Sequence, residues 1–290
     1  MKNFAYYAPQ SLQEALSLLD KRKGEVKILA GGTDLIVQMK DEFARPAFVM
    51  DVKKIAELNR LDWNNGAGLH VGAAVPLSKV SESPAVIEKF GILAQACSLI
   101  GSVQIRNRGT VGGNICNAAP SADTPPSLLC LGAKLVVAQA GGTRIIPLES
   151  FFRGPGQTAL ADNELLVEIQ IPTPPISSAG CYLRHTAREE IGIAVVGVAS
   201  FLVLVPGDKL CQEARIALAA VASTPIRAPQ AEALLTGAAL TEKLIDEAAE
   251  LAAEDVHPVS DLRGSAAYRR ELVKVLVRRS LTRAWEALAV

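Results

Sequence analysis

The chain has 290 residues, enough for two or three compact domains that each bury their own core. Thirty Lys and Arg balance thirty Asp and Glu, so no net field favours nucleic acid or an anionic membrane surface. Apolar residues make up 49% of the chain but fall in short runs, none near the roughly 20 that a helical membrane span needs. The opening segment MKNFAYYAPQS has neither the apolar stretch of a signal peptide nor the Arg- and Ser-rich character of a transit peptide, and a cytoplasmic location is expected. Cys97, Cys116, Cys130, Cys181 and Cys211 show no C-x-x-C spacing, and His70, His185 and His257 lie far apart. No metal site is expected on this chain, and the cysteines read as small buried hydrophobes.

In chain order, Ser11 and Glu14 have the spacing of a capping box, and Leu12, Ala15, Leu16 and Leu19 make the apolar stripe of a first helix. Gly24 breaks it, residues 26–30 read as a short strand, Gly31 and Gly32 as a tight loop, and residues 35–39 as the apolar side of a helix. Strands follow at 47–52 and 69–73, the first α+β unit closing near residue 60. Residues 84–100 carry one helical stripe through Val86, Ile87, Phe90, Leu93, Ala94, Cys97 and Ile100. Residues 102–126, rich in Gly, Asn, Ser, Thr and Pro, look too polar and interrupted for a helix and are expected to be a functional loop between two apolar segments. Gly141-Gly142 joins two strands as a hairpin, and residues 165–171 make another strand. Pro172, Pro174 and Pro175 mark a boundary. Beyond it, residues 192–205 and 214–221 read as long strands joined through Pro206-Gly207-Asp208, and helices dominate from Thr241 onward.

Two glycine-rich turns carry the functional signal. Backbone approaches a phosphate closely where side chains are absent, and successive N–H groups in such a turn make an anion cradle. The run Ala30-Gly31-Gly32-Thr33-Asp34-Leu35 fits that description, although Thr33 or Asp34 would equally serve to cap a helix. With Asp51 at the end of the next strand it imitates a dinucleotide fingerprint, but the full G-x-G-x-x-G is absent, and Asp51 reads as structural. The second turn, Gly109-Thr110-Val111-Gly112-Gly113-Asn114, follows Arg106-Asn107-Arg108 and precedes Ala119-Pro120-Ser121-Ala122-Asp123. Two cradles suggest one ligand with two phosphates, while Asp123 offers a carboxylate to hydroxyl groups.

The order of A-G-G-T-D-L near residue 30, R-N-R-G-T-V-G-G-N-I at 106–115 and D-L-R-G-S-A-A-Y-R-R at 261–270 resembles the FAD-binding subunits of the xanthine dehydrogenase and carbon monoxide dehydrogenase family of molybdenum hydroxylases, over nearly the whole chain. The resemblance implies an α+β fold: a two-subdomain FAD-binding domain (a PCMH-type flavin fold) at 1–60 and 61–175, then a C-terminal domain of antiparallel sheet plus helices at 176–290. It assigns to FAD the first loop (Ile28, Leu29, Ala30, Gly31, Gly32, Thr33, Asp34 and Leu35) and the second (Thr110, Val111, Gly112, Gly113 and Asn114). It also assigns Asp123 on the ribityl side, Ile100 where relatives often place an aromatic ring, and Leu166 or Val167 on a strand. Arg184 stands where the family commonly has lysine, as a flavin contact or a plain ion pair. The resemblance further implies a large partner subunit holding the molybdenum cofactor and a small iron–sulfur subunit, with electrons leaving FAD for NAD⁺ or another acceptor. No residue of this chain is expected to be catalytic in its own right. The segment 261–270 is expected to anchor the last helix or meet a subunit. The alternatives are a free-standing FAD-dependent oxidoreductase of the same fold and an assembly protein that has lost its flavin.

Overall fold

The computed structural model describes residues 2–188 and 191–288. The first unit alternates strand and helix: β1 (Ala5–Tyr7), α1 (Leu12–Lys21), β2 (Val26–Leu29), α2 (Leu35–Lys40) and β3 (Phe48–Asp51). Its three strands pair in parallel in the order β1-β3-β2. The capping box closes as a local device: Ser11 Oγ accepts from the Glu14 N–H at 3.2 Å, and the Glu14 carboxylate accepts from the Gln10 N–H at 2.9 Å. That start phases α1 so that Ala15, Leu16 and Leu19 face the core.

The second unit comprises β4 (Leu61–Asn64), β5 (Gly68–Gly72), α3 (Leu77–Glu82), α4 (Pro84–Lys89), α5 (Gly91–Leu99), α6 (Val103–Arg106), α7 (Val111–Asn117), α8 (Thr124–Cys130), β6 (Lys134–Gln139), β7 (Gly142–Pro147), β8 (Phe152–Gly154), β9 (Gln157–Thr158) and β10 (Leu165–Ile171). Its main sheet is antiparallel, ordered β4-β5-β10-β6-β7. Two expectations are corrected here. The single helix over 84–100 is two helices, broken at Phe90, whose backbone (φ −128°, ψ 38°) leaves the helical region. The break seats the ring in the core, edge-on to Trp63 with centroids 5.2 Å apart. The supposed loop over 102–126 is largely helical, because caps rather than an apolar period start its short helices. The Ser102 hydroxyl accepts from Ile105 N–H, the Thr110 hydroxyl accepts from Gly113 N–H at 2.9 Å, and prolines fill the first turn of α8.

The third unit is a four-stranded antiparallel sheet, β11 (Ser178–Thr186), β12 (Ala194–Leu204), β13 (Cys211–Ala219) and β14 (Ile226–Arg227), followed by α9 (Pro229–Leu235), α10 (Glu242–Glu254) and α11 (Ala266–Glu286). All eleven residues of β12 are buried. Val196, Val198, Leu202 and Leu204 face the core shared with α10 and α11, whereas Ala199, Phe201 and Val203 join the core of the first two units. A strand covered on both faces is apolar at nearly every position, and here only Ser200 interrupts the run, its hydroxyl paired with that of Ser280. The segment 261–270 anchors α11: the Ser265 hydroxyl caps it, and Arg269, 3% exposed, donates to the Val195 and Ala220 carbonyls and to the Asp261 carboxylate. No helix among the described residues is long and apolar enough to cross a membrane.

Phe90→Ala removes a ring that is 1% exposed at the junction of α4 and α5. Denaturant unfolding is expected to show a loss of about 3–5 kcal/mol, with the denaturant sensitivity of the transition unchanged.

Candidate functional site

A cleft of about 810 Å³ lies between the first two units, near the upper end of the range usual for small-molecule and cofactor sites. Its floor is the pair of glycine turns, which touch backbone to backbone. A Cβ placed on Gly31 would stand 2.2 Å from the Arg108 carbonyl oxygen, and one on Gly112 would stand 2.5 Å from the Ala73 carbonyl oxygen. Only a residue without a side chain lets the turns close to this distance. Across the seam Asn117 Nδ2 donates to Asp34 Oδ1 at 3.3 Å, tying α7 to the first turn.

The turns present donors. Among the described residues, the N–H groups of Gly31, Gly32 and Thr33 make no hydrogen bond. Asn114 Oδ1 accepts from both the hydroxyl (2.6 Å) and the N–H (3.4 Å) of Thr124, which leaves Nδ2 as the atom free to donate to a ligand. Lys27 is the one cation among the described lining residues, against the acids Asp34, Asp162 and Glu164. An anionic ligand here would therefore meet backbone dipoles rather than side-chain charge.

The remaining wall comes from β10 and the segment before it. A bulge between Leu166 and Glu168 bends β10 where Leu165 and Leu166 line the cleft, and the Val167 carbonyl there accepts from Ala73 N–H at 2.9 Å. Glu164 fastens the preceding turn: its carboxylate takes Arg144 Nε at 2.6 Å, Arg144 Nη2 at 2.8 Å and the Ala161 N–H at 2.8 Å. The Arg144 guanidinium holds this carboxyl below its ordinary value, against burial. Burial pushes the thiol of Cys116, which also lines the cleft, up to about 12, so it stays protonated.

The cleft gathers Ile28, Ala30, Gly31, Gly32, Thr33, Asp34, Leu35, Ile100, Thr110, Gly112, Gly113, Asn114 and Leu166 of the expected set. Leu29, Val111, Asp123, Val167 and Arg184 stand outside its lining. Asp123 is buried between units. One oxygen accepts from Tyr182 OH at 2.7 Å and the other from Arg184 Nη1 at 2.9 Å, while Arg184 Nη2 also donates to the Leu99 carbonyl. Burial raises the Asp123 carboxyl, and the Arg184 charge beside it works the other way. Arg106 Nη1 holds the next carbonyl, that of Ile100, at 3.1 Å, so two guanidiniums fix the end of α5 and set Ile100 in the wall. The sequence reading missed Gln38, Cys116, Asn117 and the 160–165 wall. Thr110 as a helix cap was the available clue for Cys116 and Asn117, since it phases α7; the wall at 160–165 carries no motif.

Comparison with known proteins gives this cleft its context. Residues 2–174 match the family described as the FAD binding domain in molybdopterin dehydrogenase, and residues 182–284 match the CO dehydrogenase flavoprotein C-terminal domain. The chain is therefore a member of the FAD-binding subunit family of molybdenum hydroxylases, an oxidoreductase subunit whose cofactor is FAD. The carbon monoxide dehydrogenase medium chain of Hydrogenophaga pseudoflava is 34% identical over 99% of this chain and 98% of its own length. The xanthine dehydrogenase FAD-binding subunit of Escherichia coli is 32% identical over 98% and 97%. Among solved structures, a carbon monoxide dehydrogenase from H. pseudoflava lacking the Mo-pyranopterin moiety superposes with a TM-score of 0.94 at 34% identity, covering 98% of each chain. Quinoline 2-oxidoreductase from Pseudomonas putida gives 0.93 at 31% identity, covering both chains fully.

Gly31→Ala forces the two turns apart and is expected to weaken FAD binding at least tenfold by fluorescence titration. Gly141→Ala, where an added Cβ meets nothing within 4 Å, should bind as the wild type does. Glu164 supplies a pH test. Its depressed pKa means that its contribution to stability is complete above the ordinary Glu value of about 4.3 and is lost as pH falls through the depressed one. The difference in thermal midpoint between wild type and Glu164→Gln should therefore be largest near neutrality and shrink on acidification below that value.

Proposed function

We propose that this chain is the electron-transfer subunit of a molybdenum hydroxylase, taking electrons from iron–sulfur clusters on a small partner subunit and passing them through FAD to NAD⁺ or another acceptor. The substrate would be oxidised at a molybdenum cofactor on a large partner subunit. The observation that carries this reading is the makeup of the cleft. It has two facing glycine turns, the first with N–H groups that make no hydrogen bond among the described residues, an apolar wall at Ile100, Leu165 and Leu166, and, among the described lining residues, no nucleophile paired with a base. Its thiol is held protonated, and two of its three acids, Glu164 and Asp34, hold loops.

Bound FAD supplies one- and two-electron transfer. The chain's own contribution is to hold and shield it. The turns at 31–34 and 110–114 would take the pyrophosphate, Asn114 Nδ2 would donate beside it, and the apolar wall would exclude water from the ring. Asp123, Tyr182 and Arg184 would act from behind, holding the end of α5 that presents Ile100, rather than through the ribityl chain. The names of the relatives, several of them medium chains or FAD subunits of dehydrogenases, support a multi-subunit setting.

The purified chain is expected to carry close to one equivalent of FAD, released on heat denaturation and identified by chromatography, and to turn over no substrate until the iron–sulfur and molybdenum subunits are added. Substrate oxidation by the chain alone would overturn the electron-transfer reading in favour of a free-standing oxidoreductase.

A further inference from the structure

Behind the first glycine turn, on the side away from the cleft, lies a polar chain that the proposed function does not use. Tyr6 OH donates to Asp51 Oδ2 at 2.7 Å, Lys53 N–H donates to Asp51 Oδ1 at 3.0 Å, and Lys53 Nζ lies 2.8 Å from Asp51 Oδ2. The same ammonium donates to the Ala30 carbonyl at 3.2 Å. Asp51 is 9% exposed, and its oxygens are fully engaged. The Lys53 main chain is pinned in turn, since its carbonyl accepts from Asn59 Nδ2 at 2.9 Å. Ala30 and Gly31 line the cleft, whereas Tyr6, Asp51 and Lys53 do not.

The carbonyl of Ala30 and the N–H of Gly31 belong to one peptide plane and point in opposite directions across it. Holding the oxygen toward Lys53 therefore turns the Gly31 N–H toward the cleft, where no protein acceptor meets it among the described residues. Gly31, lacking a side chain, has more backbone freedom to lose than any other residue, so an external anchor matters most at this peptide. The cation also polarises the peptide it grips and strengthens the N–H on the other side as a donor.

We propose that Lys53, braced by Asp51 and Tyr6, is a positioning residue that sets the Ala30–Gly31 peptide so that its N–H receives a phosphate oxygen of FAD. The ammonium acts through the backbone and does not touch the cofactor. This rests on the assignment of the first turn to the pyrophosphate.

The test uses the full-length chain freed of flavin, in wild-type form and with Lys53→Met, Lys53→Gln and Lys53→Arg, titrated with FAD by fluorescence quenching. The ³¹P spectrum of bound FAD and the thermal midpoint of the flavin-free chain are recorded for each. For Lys53→Met and Lys53→Gln the dissociation constant is expected to rise about tenfold, the scale of a lost charge-assisted hydrogen bond. A pyrophosphate resonance should shift, while the visible absorption maxima and the midpoint hold. Lys53→Arg should return the affinity to within about threefold of wild type. Wild-type affinity and an unmoved ³¹P spectrum in either neutral variant would overturn the role of Lys53 alone, as would affinity lost only in step with the midpoint or an arginine variant as weak as the neutral ones. A wild-type chain that takes up no FAD would overturn the cofactor assignment and this proposal with it.

Discussion

The contact between Gly31 and the Arg108 carbonyl governs the geometry of the whole site. Two chain segments separated by nearly eighty residues approach more closely than any side chain permits. Because they do, the parallel sheet of the first unit and the antiparallel sheet of the second share one cleft. The Asp34–Asn117 hydrogen bond and the Glu164–Arg144 pair then tie two of the acids that line the cleft to its surrounding elements. With little positive side-chain charge in the lining, the donors offered to an anionic ligand are mainly backbone N–H groups, whose directions are set by the fold itself.

The third unit supports this cleft without lining it. β12 presents alternate residues to two cores, and β11 sends Tyr182 and Arg184 back to Asp123 at the start of α8. Arg184 reaches on to the last carbonyl of α5 and Arg106 to the one after it, so the end of that helix is held by charge on both sides. The apolar wall of the cleft thus depends on residues from both the second and third units.

Much of this was legible in the sequence where the determinants are local. Ser11 with Glu14 announced α1, the paired glycines announced the two turns, Gly141-Gly142 announced the hairpin, and the long strand pattern over 192–205 announced β12. Determinants set by distant contacts were not legible. Gly91 is a local sign of the break, but the contact that seats the Phe90 ring against Trp63 is distant in sequence, and the helix stripe read straight through it. The short helices over 103–130 depend on hydroxyl caps at α6 and α7 and on prolines in the first turn of α8, signals that are weak beside the Gly-Gly of α7 and the polar stretches between them. Asp123 is offered by the sequence beyond the second glycine turn, but only the fold brings Tyr182 and Arg184, some sixty residues later, onto its two oxygens. The family resemblance supplied the cofactor, whereas the physical reading supplies which groups line the cleft and which stand behind it.

The double-sided burial of β12 limits how this protein can be taken apart. A flavin module cut at the proline-rich segment would carry a raw hydrophobic surface where Ala199, Phe201 and Val203 had rested, and the severed sheet would expose its own matching face. Neither half would be self-sufficient in water, so transplanting the cofactor-binding portion into another scaffold would require moving the C-terminal sheet with it or redesigning the seam. The chain is modular in sequence and continuous in its packing.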